Sequence, residues 1–217
     1  MSHARQAGAF MELTRREARS EFLERYFICA KRPPERQVFL RGVADDLFGR
    51  SHLAGYFVDG VMVGGYCVVL EPPFSQVQLL PESVRSTHPL LQAAGERDIV
   101  SLPILWLDAA YRGPMHSAQL WRDMFRFIVS TERKYLIYAY LQNEPRNWQL
   151  YKRAGNPVNL YSGLLANGGI GGVDRVSIDA LPPYIDFLTT FLERHPAGNV
   201  KTMPRNRAAV GMQQPSA

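Results

Sequence analysis

LDAAYRGPMHSAQLW, residues 107–121, joins the end of an apolar run to a tight basic turn with one glycine and then to the start of an amphipathic helix. Upstream, DIVSLPILWLDAAYRG reads as one long strand ending at that turn. Downstream, Leu120, Met124 and Phe127 or Ile128 recur at helical spacing with Trp121 and Phe125 beside them, which gives the helix a wide apolar face to lay on a sheet. KYLIYAYLQ, rich in aromatic and branched residues, is the next strand. Strand, turn, helix and strand in this order predict a sheet whose central turn can hold a ligand.

Toward the N-terminus, GAFMELT predicts a first strand, and Thr14 with Glu17 has the capping-box spacing that starts a helix. Ala18, Phe22, Tyr26 and Cys29 share one face of it, and Pro33-Pro34 ends that run and opens a second helix, ERQVFLRGVADDLFG. LAGYFVDGVMVGGYCVVLEPP holds two β-rich runs joined at Asp59-Gly60, a dipeptide suited to the positive φ angles of a hairpin turn. A Pro-rich stretch with one short helix around ESVRSTHPLLQAAGE leads back to the central strand. Toward the C-terminus, NEPRNWQLYKRAG predicts a short helix with Asn143 as its N-cap, Pro145 in its first turn and Gly155 as its stop. NPVNLYSGLLA and VDRVSIDA predict two strands, and PPYIDFLTTFLERH a closing helix. The whole order predicts an α/β (α+β) domain with a mixed sheet over residues 1–195. Residues 196–217, with Lys201, Arg205 and Arg207 and little hydrophobic periodicity, read as a flexible basic tail.

Composition excludes several classes. With 46% hydrophobic and 21% charged residues among 217, the chain is globular rather than disordered. Its two cysteines, Cys29 and Cys67, lie inside apolar runs, where buried reduced thiols are the ordinary reading and a cytoplasmic location is expected. MSHARQAGAF carries no long apolar stretch, and no run approaches the roughly 20 apolar residues of a membrane span. The net charge of +5 favours anionic ligands in a general way, yet is too small to point to nucleic acid. The histidines and cysteines show no metal-ligand spacing, so no metal is expected. No Gly-x-Ser-x-Gly elbow appears. GGIGG at 168–172 has no helix directly after it and reads as a link between the last two strands.

Three stretches together resemble the GCN5-related N-acetyltransferase (GNAT) superfamily over roughly residues 10–180. GYFVDGVMVGGYCVVL is similar to the family's hairpin, LDAAYRGPMHSAQLW to its acyl-CoA signature without gaps, and LQNEPRNWQLYKRAG to its second signature, an Asn-started helix carrying Leu-Tyr. The resemblance implies a mostly antiparallel mixed sheet flanked by helices and splayed in the middle for the acyl donor. It also implies that the helix N-terminus, with its exposed N–H groups and partial positive charge, receives the diphosphate of coenzyme A. Arg112, the turn and first-helical residues Gly113, Met115, His116, Ser117 and Ala118, and Asn143 are then the acyl-donor residues. Met115 and Ser117 stand where the family pattern has glycines. Either the amides hold the diphosphate regardless of side chain, or the donor is an acyl carrier protein, whose phosphopantetheine has a single phosphodiester. Acyl-homoserine-lactone synthases and long-chain N-acyl amino acid synthases are the family's precedents for the second case.

Aminolysis of a thioester needs a neutral amine, a polarised carbonyl and a proton for the departing thiolate. The resemblance assigns the Leu107 amide to the thioester oxygen and Tyr151 to the thiolate, with packing beside Trp148 as the other reading of Tyr151. Asp108 is the candidate base, with Asp98, Glu71 and ordered water as further options, while His116 lies on the phosphate side. The implied activity is transfer of an acyl group, acetyl by default, from acyl-CoA to an amine of a small molecule or peptide. A non-catalytic binding module of the same fold is the alternative that loss of the loop glycines would suit, and a dimer is one open oligomeric state.

Overall fold

The computed structural model of the chain describes residues 8–141, 157–163, 174–180 and 190. Among the described residues, seven strands form one sheet in the order β1-β2-β3-β4-β5-β7-β6. Strands β1 (Ala9–Glu12), β2 (Ser51–Val58), β3 (Val61–Val69) and β4 (Ile99–Leu107) are successively antiparallel. β4 and β5 (Tyr135–Leu141) are parallel, because helix α6 (Pro114–Ser130) carries the chain back across the sheet between them. β7 (Asp174–Ala180) lies antiparallel between β5 and the edge strand β6 (Val158–Gly163). The mixed, mostly antiparallel sheet expected from the sequence is present.

Helices α1 (Arg16–Cys29) and α2 (Pro34–Gly49) cover one face, where Phe22, Tyr26, Phe27 and Phe48 pack on Leu53, Cys67, Ile104 and Trp106. α6 covers the other, setting Leu120, Met124, Phe125 and Ile128 on Tyr56, Tyr66, Val100 and Leu136. The predicted apolar stripe of α6 is the buried one. Between β2 and β3 the turn is as read: Asp59 has φ 51° and Gly60 φ 77°, the double left-handed geometry of a type I′ hairpin.

Two local expectations change. Thr14 is not the N-cap of α1; the cap is Arg15, with no side-chain hydrogen bond, and Arg19 Nε holds the preceding turn through Leu13 O at 3.0 Å. That later start puts Glu17 in the first turn, where its charge suits the helix dipole without closing a capping box. The single short helix expected around residues 82–96 is divided into α4 (Glu82–Thr87) and α5 (Pro89–Ala93), preceded by α3 (Ser75–Gln78). The break falls at His88, whose ψ of 121° is the extended conformation that a following proline imposes. The helix expected at residues 144–155, the GGIGG link, the C-terminal tail and, except for residue 190, the helix expected at 182–195 lie outside the described residues.

Candidate active site

β4 contains a proline, and that residue organises the centre of the sheet. Opposite the single residue Val68 of β3, the strand carries Leu102 and Pro103, a bulge between the pairs Val69–Ser101 and Cys67–Ile104. A residue without an N–H is tolerated inside a sheet at such a bulge. The extra residue also resets the alternation: Ser101 and Ile104, three apart, face α1 and α2 together, as does Trp106. At the same level β5 departs. Its parallel pairing with β4 runs from Ile99–Tyr135 to Leu102–Tyr138 and stops there, although both strands continue. Past Leu102 the two strands diverge into a cleft.

The residues at the head of this cleft come from one continuous stretch. Asp108 donates its N–H to Val63 O at 2.8 Å, so Leu107, paired with Gly64, falls at a position that turns its N–H and C=O away from β3 toward the cleft side. Arg112 Nε donates to that Leu107 carbonyl at 2.9 Å. Gly64 is needed for this close packing, since a Cβ there would lie 2.9 Å from Trp106 O and from Leu107 Cδ1.

Asp108 caps the 3₁₀ turn Ala109–Tyr111, its Oδ1 accepting the Ala110 N–H at 2.9 Å. Its Oδ2 lies 3.8 Å from Cys29 Sγ at the end of α1, on the sheet face opposite α6. Burial, reinforced by the Asp108 charge and hydrogen bond, pushes the Cys29 thiol above its usual range, so it is a protonated donor rather than a nucleophile. Asp98 and Glu71, the other sequence candidates for a base, are at the far end of the sheet: Asp98 pairs with Lys134 before β4 begins, and Glu71 follows the end of β3.

The start of α6 stands directly after this turn. Gly113 is its N-cap with φ −97°, an ordinary conformation, and a Cβ there would meet nothing within 4 Å. The supply of amides is narrower than six consecutive residues suggest. Gly113 N–H is taken by Tyr111 O at 2.7 Å, Pro114 has none, and Ser117 N–H is taken by Gly113 O at 3.0 Å. Met115 and His116 occupy the first-turn positions whose N–H has no carbonyl partner within the helix.

His116 is anchored by a residue that sequence reading did not single out. Its Nδ1 lies 2.7 Å from Tyr56 OH, and that hydroxyl donates to Gln119 Oε1. Through this one hydroxyl, β2 is tied to two side chains in the first turns of α6. Tyr56 is buried, stacked on Phe10 at 4.6 Å, and burial pushes its hydroxyl up to about 12. The alternation of His52, Ala54 and Tyr56 along β2 was the available signal that Tyr56 faces α6. Tyr151 and Asn143 lie outside the described residues. Among the described residues no three His, Cys, Asp or Glu side chains group as a metal site, and no helix is long and apolar enough to cross a membrane.

No family model matches the chain, and no curated protein sequence matches it. Solved structures do. FeeM, an N-acyl amino acid synthase from uncultured soil microbes, has a TM-score of 0.55 at 14% identity, with 83% of this chain and 94% of the other covered. An acetyltransferase of the GNAT family from Staphylococcus aureus Mu50 has a TM-score of 0.55 at 11% identity, covering 81% and 99%. A Desulfovibrio desulfuricans protein assigned to the GNAT acetyltransferases has a TM-score of 0.56 at 12% identity, again covering 81% and 99%. The architecture of this chain is the GNAT fold.

Proposed function

We propose that this GNAT-fold chain is an N-acyltransferase that moves an acyl group, acetyl by default, from acyl-CoA to an amine of a small molecule or peptide. The observation that carries the reading is the divergence of β4 and β5 beyond Leu102 and Tyr138, with the N-terminus of α6 after its head. A thioester arm laid in that cleft finds the Leu107 amide for its carbonyl oxygen, and its phosphate finds the helix N-terminus with Arg112 nearby. The amine nitrogen forms the new C–N bond as the C–S bond breaks. Asp108, directly or through water, takes the proton that the amine loses, and the Tyr151 hydroxyl gives one to the thiolate. Asn143 serves the acyl donor at the start of the second signature helix.

A second reading concerns the donor. Gly113, Pro114 and Ser117 offer no N–H to an anion, and this favours a single phosphodiester over a diphosphate. An acyl carrier protein presents that group, and FeeM, an N-acyl amino acid synthase, is among the similar structures.

The test is a mass-spectrometric assay of the full chain with acetyl-CoA, longer acyl-CoAs and the matching acylated carrier proteins, against amino acids, peptides and polyamines. The expected products are an N-acyl amine and a free thiol. Faster turnover of the carrier-bound acyl group establishes the second reading. Absence of product from every donor, with no calorimetric binding of CoA, leaves a non-catalytic module.

A further inference from the structure

α6 crosses the sheet from the cleft end to the start of β2, and its last turns meet features that acyl transfer does not use. There β1, β2 and α6 bound an open pocket of ≈ 340 Å³, within the ~300–1,000 Å³ of small-molecule sites. Arg126 on its rim is about 15 Å along the helix from His116, at 1.5 Å per residue.

The lining combines aromatic faces with opposite charges. Phe10 and Phe127 form apolar walls, and His52 stacks flat on Phe127 with ring centroids 3.8 Å apart. Asp123 lines the pocket and accepts the Tyr66 hydroxyl at 2.8 Å. Glu12 stands 3.7 Å from His52, and burial lowers the affinity of His52 for a proton, so near neutral pH this ring brings no cation to Glu12. Arg126 follows Asp123 by three positions, on the same side of the helix, and also lines the pocket. Yet among the described residues no ion pair includes either Asp123 or Arg126. Asp123 is half-buried, and burial pushes its carboxyl above its usual range, outweighing the Tyr66 hydrogen bond and the Arg126 and Arg122 charges near it.

We propose that this pocket binds a free α-amino acid with an apolar side chain. The ammonium sits against Asp123 and Glu12, the carboxylate against Arg126, and the side chain against Phe10, Phe127 and the His52 ring. A simple amine leaves Arg126 unmatched, and a simple carboxylate meets two groups of its own sign. Only a zwitterion satisfies both ends. The inference does not depend on acyl transfer, since the pocket and the cleft lie at opposite ends of α6.

Calorimetric titration of the full chain with L-leucine and L-phenylalanine tests it, with N-acetyl-L-leucine and L-leucine methyl ester as controls. Saturable binding of a free amino acid is expected, weakened about tenfold or more for each blocked form, because a charge-assisted hydrogen bond is lost. Arg126→Gln changes an exposed residue and keeps the fold, and Asp123→Asn still accepts from Tyr66. Each should weaken binding by a similar factor, whereas Asp108→Asn should not. No saturable binding to the wild-type chain at millimolar amino acid overturns the proposal. So does equal binding of the blocked forms, or binding that survives Arg126→Gln, which would locate the amino acid at the cleft instead.

Discussion

At the head of the cleft the Asp108 carboxylate is divided between the Ala110 N–H and the Cys29 thiol. Asp108→Asn keeps a carbonyl oxygen for Ala110 and so preserves the turn, but an amide cannot accept the amine's proton. The expected result is kcat lowered by about 10²–10⁴-fold with the Kd for the acyl donor unchanged, the scale typical of acid–base groups. An unchanged kcat reduces Asp108 to a turn cap. Gly113 is a different case. The resemblance makes Gly113 an acyl-donor residue, and the protein itself gives no steric or conformational reason for a glycine there. Gly113→Ala should therefore change stability only by about 1 kcal/mol or less, as an N-cap substitution. If a phosphate lies against the turn, the added methyl should raise the Kd for CoA while leaving a pantetheine fragment unaffected. Equal effects on both ligands would remove the phosphate from this position. Asp108 and His116 were singled out in the sequence as candidates; their hydrogen-bond partners, separated by as much as 79 positions for Cys29 and Asp108, were not.

Among elements, legibility followed local chemistry. The hairpin and α6 could be read because a turn dipeptide and an apolar stripe are properties of neighbouring residues. The bulge at Pro103 carried a signal of its own, a proline inside a strand, but its consequence depends on β3 and β5, which only the fold brings alongside. The same holds for the tie between β2 and α6. Tyr56→Phe removes the hydroxyl shared by His116 and Gln119 and leaves a buried amide oxygen without that donor, a loss of about 1–3 kcal/mol. A urea midpoint that falls at constant m would show it. The first turn of α6 loses its anchor at the same time, so KM for the acyl donor should rise by a larger factor than kcat falls. A fall in kcat alone, with KM unmoved, would mean that the tie supports the fold and not the acyl-donor end.

For the molecule as a whole, one sheet separates two cores of different character. The α6 face holds the buried hydroxyls of Tyr56 and Tyr66 against Gln119 and Asp123 of that helix, while the α1–α2 face encloses the Cys67 thiol, with 0% exposure. The sequence placed Cys67 in an apolar run and implied a buried thiol, and that expectation has a thermodynamic consequence. Burial raises Cys67 from 9.0 to about 12, and Tyr56 from 10.0 to about 12. In the unfolded chain these groups lose their protons near the lower values, whereas in the native state they hold them. Between pH 9.0 and about 12 the native state thus binds more protons than the unfolded one, and stability must fall as pH rises through that window. Below pH 9.0 both states are protonated at Cys67 and the thiol contributes no slope. Cys67→Ala removes one of the responsible groups at the cost of a small cavity. At neutral pH the variant should be the less stable protein, but the deficit should shrink steadily above pH 9.0 as the wild type alone continues to lose stability at this position. Urea titrations of both chains from pH 7 to pH 11 measure the difference directly. A deficit independent of pH would mean that the thiolate is accommodated in the native core and that the α1–α2 face is not closed to water around it.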